Sequence, residues 1–466
     1  MKNEDESFRD TIGTIKEDGN RNWIFAKRPV GKYYNWRNIV SIFYLLIFFA
    51  LPWIKYQEQP LFLANLAERK FILFGVIFWP QDFFLFVVGM LAFIVFIVLF
   101  TVVFGRIFCG WVCPQTIFME MVFRKIEYWI DGDADKQRKL KAMEWNTEKI
   151  TKRSAKFLAF FSISFIISNY FLAYLIGMDN VLLYVKEGIF VHLATFIPLI
   201  IFTFIFFFVY WWFREQVCII ACPYGRLQGV MLDPNSIVVA YDKVRGEPRG
   251  RINRHSTEQL GDCIDCFECV KVCPTGIDIR NGTQLECINC TACIDACDAV
   301  MEKVHRPISL IKYASENTIA RGEKVRFTKR IAAYCVVLVA LLVALVVLLS
   351  TRKDIQTTVM RAQGMLYQNQ PDNKISNLYN IKMINKTRSD IPVTLKVESE
   401  SALPGEVKMV GKDLVIKKES IGDGVFFVLV DKSKVQHRKN KIEIGVYSNG
   451  KKIDKVTTNF LGQGGK

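Results

Sequence analysis

Cys263-Ile264-Asp265-Cys266-Phe267-Glu268-Cys269-Val270-Lys271-Val272-Cys273-Pro274 and, a short connection later, Cys287-Ile288-Asn289-Cys290-Thr291-Ala292-Cys293-Ile294-Asp295-Ala296-Cys297 share one spacing, CxxCxxCxxxC. Eight thiols in two such runs are ligand enough for two [4Fe-4S] clusters. Structural zinc sites are built from paired CxxC units and leave no third cysteine at this spacing, which also argues against a disulfide knot. The stretch therefore points to electrons moving one at a time.

In two-cluster ferredoxins of this spacing the first three cysteines of a run hold one cluster and the fourth crosses to the other. That rule assigns Cys263, Cys266, Cys269 and Cys297 to one cluster, and Cys287, Cys290, Cys293 and Cys273 to its neighbour. Cluster thiols must stay reduced, so this part of the chain is expected in the cytoplasm. Seven acids, Asp262, Asp265, Glu268, Asp278, Glu286, Asp295 and Asp298, accompany Lys271 and Arg280 here. They read as a solvated surface, or as an acidic face that steers a cationic donor or metal.

Outward from the clusters the chain is apolar. Of 466 residues 51% are hydrophobic and 37 are Phe, more than a soluble protein carries. Five stretches approach the length that crosses a bilayer, at 39–54, 83–104, 154–177, 189–213 and 331–350. A shorter apolar run, 71–80, reads as interfacial or re-entrant. Lys plus Arg in the successive polar segments number 8, 3, 10, 1 and 17, an alternation that puts the N-terminal segment 1–38, the loop 105–153 and the region 214–330 on the cytoplasmic side. The net charge of +16 follows from that orientation. Membrane lipid is the expected partner, and with no nucleic-acid module in the chain, nucleic acid is not. No signal peptide with a cleavage site is expected, since the first 35 residues are polar and charged.

The expected architecture is multi-domain. An α-helical membrane bundle of about five spans takes 39–213 and 331–350, and a two-cluster ferredoxin-like domain (255–305) is inserted within 214–330. The tail, 351–466, alternates apolar and polar residues, as in Val393-Thr394-Leu395-Lys396-Val397, and ends on a hairpin signal at Asn449-Gly450. An all-β immunoglobulin-like sandwich on the periplasmic side is expected there.

A second cysteine pattern repeats itself. Gly105-Arg106-Ile107-Phe108-Cys109-Gly110-Trp111-Val112-Cys113-Pro114-Gln115 and Arg214-Glu215-Gln216-Val217-Cys218-Ile219-Ile220-Ala221-Cys222-Pro223-Tyr224 each carry CxxxCP. Each follows an even-numbered span, so both lie on the side of the clusters. Proline disfavours helix at the cysteine before it and starts a new one, which predicts a bend at the membrane surface. Four thiols gathered beneath the clusters form a candidate redox or copper site, because thiolates select Cu(I), zinc or iron-sulfur; small residues packing a bend are the alternative. His192, near the outer end of the fourth span, is a weaker metal candidate. Cys335 in the fifth span reads as a packing residue, Pro198 as a kink in the fourth, and His437 as a solvated loop residue.

Together these motifs resemble the cbb3-type cytochrome oxidase accessory proteins (CcoG, FixG, RdxA) over nearly the whole chain. The resemblance rests on GRxFCGWxCPQT at 105–116, REQVCxxxCPYxRxQ at 214–228, Tyr241-Asp242 with Arg245-Gly246-Glu247-Pro248-Arg249-Gly250, and Gly276-Ile277-Asp278-Ile279-Arg280 between the cluster runs. Asp298 stands where a plain bacterial ferredoxin has proline. The resemblance implies a multi-pass protein of the bacterial inner membrane that reduces Cu(II) to Cu(I) during oxidase assembly. Its partners would be oxidase assembly factors, copper-handling proteins and a cytoplasmic electron donor. Two other functions fit the clusters: a conduit resembling the quinol-oxidising membrane ferredoxins of nitrate and nitrous oxide reduction, and a non-enzymatic assembly scaffold.

Overall fold

The computed structural model describes residues 13–15, 18–66, 70–79, 82–251, 260–323, 328–362, 364, 366–387, 389–398, 403–411, 414–435 and 437–462. The chain divides into two compact units, Met1–Val346 and Val347–Lys466.

Among the described residues five helices are long and apolar enough to cross a membrane: Lys32–Trp53, Phe83–Phe104, Thr147–Ile176, Leu193–Phe213 and Lys329–Ser350. The expected spans are therefore present with shifted ends. The first begins earlier than 39 because an outside carboxylate caps it, as described below. The third begins at Thr147 because Asn146 accepts the Lys149 amide (2.8 Å), adding polar turns ahead of the apolar stretch. The fourth begins at Leu193, and its interior Pro198 leaves the helix continuous to Phe208.

Of the run 71–80, residue 80 lies outside the described residues, and 71–78 are β-structure with a turn at Phe74 and Gly75. Strands Phe62–Asn65, Lys70–Leu73 and Val76–Phe78 form an antiparallel meander after a small hairpin pairing Lys55–Tyr56 with Gln59–Pro60. Phe74 and Gly75, both at positive φ, turn the chain after four residues. Ile72 and Ile77 on neighbouring strands go inward.

The helical segment after the first CxxxCP motif, Pro114 to Ile130, packs between the third and fourth spans. Phe123 stacks on Tyr210 at 4.5 Å and meets Phe160 at 4.8 Å. Beside this aromatic core lies a buried ion network. Glu127 is held by Arg214 (2.6 Å) and by Lys156, which also reaches Asp131 (2.9 Å). Arg21, from the N-terminal segment, pairs with Glu215 at 2.8 Å. Some of the basic residues counted toward membrane orientation are thus interior, since Arg21, Arg124 and Arg214 all pair inside the protein.

The second unit is a sandwich. One sheet orders strands Glu406–Val410, Ile421–Asp431, Lys374–Asn385 and Ile355–Arg361, and the other orders Leu414–Ile416, Ile391–Val397, Lys439–Ser448 and Lys451–Leu461. Tyr379, Met383, Phe426, Val428, Ile444 and Phe460 fill the space between them. Asn449 (φ 47°) and Gly450 (φ 77°) form the tight turn read from the sequence, and His437 is exposed.

Candidate functional site

The two ferredoxin runs fold alike. Asp265 and Phe267 in the first, Asn289 and Thr291 in the second, occupy left-handed conformations at equal offsets from Cys263 and Cys287 (φ 54°, 59°, 54° and 64°). Two non-glycine residues held there in each loop are a backbone strain of the kind that clusters at functional sites. Short helices follow, Glu268–Lys271 carrying Cys269 and Ala292–Lys303 carrying Cys293 and Cys297. Strands Val238–Tyr241 and Ile311–Ala314 pair beneath them.

Cys263, Cys266, Cys269 and Cys297, the first expected quartet, line one cavity with Tyr241, Phe267, Arg280 and Met301. Of the second, burial pushes the Cys293 thiol well up, and the nearby charges of Cys290, Cys287, Cys273 and, from the first, Cys269 add to it. The first quartet is flanked by Arg280, which lies 4.1 Å over the Phe267 ring and pairs with Asp265 and Asp278. Most of the acids read as an open surface are engaged: Asp262 with Arg245, Glu268 with Lys27 and Lys271, Asp298 with the Ser309 amide. Glu286 lines a separate cavity with Asp233 and Glu316.

Both CxxxCP motifs make the expected bend. Cys113 (ψ 126°) and Cys222 (ψ 109°) are extended, and Pro114 and Pro223 open the helices after them. Gly105 and Arg214, each four residues before the first cysteine, share one backbone conformation (φ 55°, ψ −130° and φ 52°, ψ −125°). π-helical turns at Ile117–Phe123, Val209–Phe213 and Val217–Ala221 flank or contain the motifs, and such turns concentrate at functional sites.

The motifs are related by an exchange of partners. Tyr210, four residues before Arg214, donates to Gln115, two residues after Cys113, at 2.9 Å. Thr101, four residues before Gly105, lies 3.1 Å from the hydroxyl of Tyr224, two residues after Cys222. Each repeat thus grips the other at equivalent positions. The buried Gln228 carboxamide accepts from Arg106 (3.0 Å) and from the Cys109 thiol (3.2 Å). Burial pushes Cys109 up to about 11 against the pull of Arg106, with Cys113 and Cys222 raising it further. Burial also pushes Cys218 up to about 12, with Cys113, Cys109 and Cys222 adding.

This group adjoins the second ferredoxin quartet. Cys109 is buried in one apolar patch with Val272, Ile288, Cys290 and Ala292, and Cys293 packs against it. Cys218 shares a small cavity with Ile288, Pro274 and Thr275, and Thr275 lies 3.3 Å from the Cys273 sulfur. A Cβ on Gly110 would sit 2.5 Å from the Ile288 carbonyl; glycine permits that approach. His192 lies apart, stacked on Tyr184 at 3.9 Å with Nε2 2.5 Å from Glu187. Among the described residues no three His, Cys, Asp or Glu side chains gather closely enough to hold a single metal ion.

Comparison with known proteins places this geometry. A 4Fe-4S dicluster domain matches residues 213–316, a 4Fe-4S binding domain matches 86–133, and the immunoglobulin-like fold at the C-terminus of FixG matches 345–463. Protein RdxB of Cereibacter sphaeroides is 34% identical over 82% of this chain and 83% of its own. The chain belongs to the FixG and RdxA family. RdxA of the same organism is 33% identical over 81% of this chain and 82% of its own, and the nitrogen fixation protein FixG of Rhizobium meliloti is 33% identical over 82% and 80%. As a FixG-family member it is an iron-sulfur membrane protein of the oxidoreductase type. The thiol quartets and left-handed loops fit the 4Fe-4S group that the dicluster match implies.

The N-terminal segment forms a strap that the motifs of the sequence do not announce. Lys27 pairs with Glu268 at 2.8 Å, the Arg28 amide donates to Asp133 at 2.9 Å, and Tyr128 donates to the Ala26 carbonyl at 3.0 Å. These bonds tie residues 26–28 to the ferredoxin and to the 105–153 loop. The concentration of Lys27, Arg28 and Lys32 ahead of the first span was its only signal.

Proposed function

We propose that this chain is a membrane-bound iron-sulfur oxidoreductase that delivers single electrons to Cu(II), yielding Cu(I) for assembly of a cbb3-type cytochrome oxidase in the bacterial inner membrane. One observation supports this above the others: Cys109 shares a buried apolar patch with Cys290 and Cys293. The ferredoxin domain and the CxxxCP thiols are thereby one continuous site.

In this reading Cys263, Cys266, Cys269 and Cys297 hold the cluster nearer a cytoplasmic donor, and Cys273, Cys287, Cys290 and Cys293 hold the one nearer the membrane. Bound there, such clusters supply one-electron transfer, the step that separates Cu(II) from Cu(I). Cys109, Cys113, Cys218 and Cys222 form the last redox station before copper. Gln228 and Arg106 fix the Cys109 sulfur, and the surrounding Val272, Ile288 and Ala292 exclude water from it. The N-terminus and ferredoxin domain lie in the cytoplasm and the sandwich in the periplasm, where copper-handling proteins and oxidase assembly factors take up the product.

The test is anaerobic. Dithionite-reduced protein given Cu(II) is expected to lose its cluster electrons and to form Cu(I), which a cuprous-specific chelator reports. Clusters that copper leaves reduced, yet that a quinol reduces in membranes, would make the chain a respiratory conduit. Oxidase maturation that survives Cys266→Ser would make it a scaffold.

A further inference from the structure

We infer that Cys109, Cys113, Cys218 and Cys222 together hold a third [4Fe-4S] cluster, shared between the two CxxxCP repeats. The assignment deepens the proposed function and rests on it only for the electron acceptor.

The donor count leads there first. The 4Fe-4S binding domain match over 86–133 includes Cys109 and Cys113 and no other cysteine, half of the four thiolates such a cluster takes. Cys218 and Cys222 supply the other half. The exchanged contacts Tyr210–Gln115 and Thr101–Tyr224 lock the two repeats against each other, with two thiols contributed by each.

Placement points the same way. Ile288 packs with Cys109 in one apolar patch and lines a small cavity with Cys218, so one thiol from each repeat converges on the same side chain.

The surroundings suit a negatively charged centre. Arg106 and the Cys109 thiol meet on the same Gln228 oxygen, at 3.0 Å and 3.2 Å. Hydrogen bonds to the sulfurs and burial are the two means by which a protein sets a cluster's potential. In its redox step the reduced centre gives one electron to Cu(II), leaving an oxidised centre and Cu(I), and one electron from the membrane-proximal ferredoxin cluster restores it.

Iron counting tests the assignment on full-length protein purified without oxygen. Three four-iron clusters predict about twelve irons and about twelve acid-labile sulfides per chain, against about eight for the ferredoxin domain alone. Cys113→Ser and Cys222→Ser should each lower the count to about eight, with the ferredoxin signals intact in the Mössbauer spectrum of ⁵⁷Fe-labelled protein. About eight irons in the wild-type protein, or variants that stay at about twelve, would overturn it. About eight irons with Cu(II) reduction retained would remove the third cluster and leave the proposed function standing; about twelve with no Cu(II) reduction would do the reverse.

Discussion

The carboxylate of Asp295, on the ferredoxin helix Ala292–Lys303, accepts the backbone amide of Tyr34 at 2.8 Å, in the first turn of the first membrane span. It also accepts the Tyr33 amide at 3.0 Å. A residue near position 300 therefore caps a helix that begins at position 32, and the cap fixes the ferredoxin domain against the membrane bundle. Gly31 makes room for it, since a Cβ there would lie 2.4 Å from the Asp295 carboxyl carbon.

Asp295→Ala should cost about 1–2 kcal/mol, the usual worth of a helix cap. The loss should read out as a lower unfolding temperature in detergent and as faster proteolysis between the ferredoxin domain and the first span. Asp295→Asn keeps an acceptor oxygen and should recover part of it. Equal stability in all three proteins would show that the contact does not hold the domains together.

Glu127 sits among charges that no water screens. Burial opposes its ionisation, but Arg214 and then Lys156 overcome that and hold the carboxyl well below the usual range. The stability it contributes is complete above the unfolded carboxyl's pKa of about 4.3 and is lost as pH falls from there through the folded value. Glu127→Gln should lower stability at neutral pH and flatten the acid limb of the stability curve. Arg214→Ala, which leaves the buried carboxylate with Lys156 as its remaining partner, should cost less than the roughly 3–5 kcal/mol of a fully unpaired buried charge. Denaturant unfolding at pH 7 and at about pH 3, inside the window below the unfolded pKa where the contribution is lost, checks both.

Gly110→Ala would drive a Cβ to 2.5 Å from the Ile288 carbonyl and 2.8 Å from that of Asn289. Overpacking of this kind costs about 1–3 kcal/mol. Here it should also widen the gap between the CxxxCP thiols and Cys290, so Cu(II) reduction should slow while the ferredoxin clusters still assemble. Gly89→Ala, with nothing within 4 Å of the added carbon, is the control and should change neither. A Gly110→Ala protein with the wild-type rate would contradict the continuity of the site.

What the sequence conveyed was local. The CxxCxxCxxxC runs, the long apolar stretches and the Asn449-Gly450 turn each carry their meaning within a few neighbouring residues, and each appears in the structure. What it hid depends on distant partners. Arg21, Arg124 and Arg214 counted toward membrane orientation, yet they pair inside the protein with Glu215, Glu120 and Glu127. The Tyr210–Gln115 and Thr101–Tyr224 exchange joins side chains of different types across 95 and 123 residues, so no repeat in the motif announces it. The meander at 62–78 was obscured because an apolar run of that length fits a strand pair and a short helix equally until Phe74 and Gly75 adopt positive φ.

The most direct test of the central claim is the electron paramagnetic resonance spectrum of the dithionite-reduced protein, freed of excess reductant, before and after stoichiometric Cu(II). The account predicts that the reduced-cluster signal disappears, that no Cu(II) signal takes its place, and that a cuprous chelator recovers one Cu(I) for each electron lost. A persistent cluster signal beside an undiminished Cu(II) spectrum would contradict it.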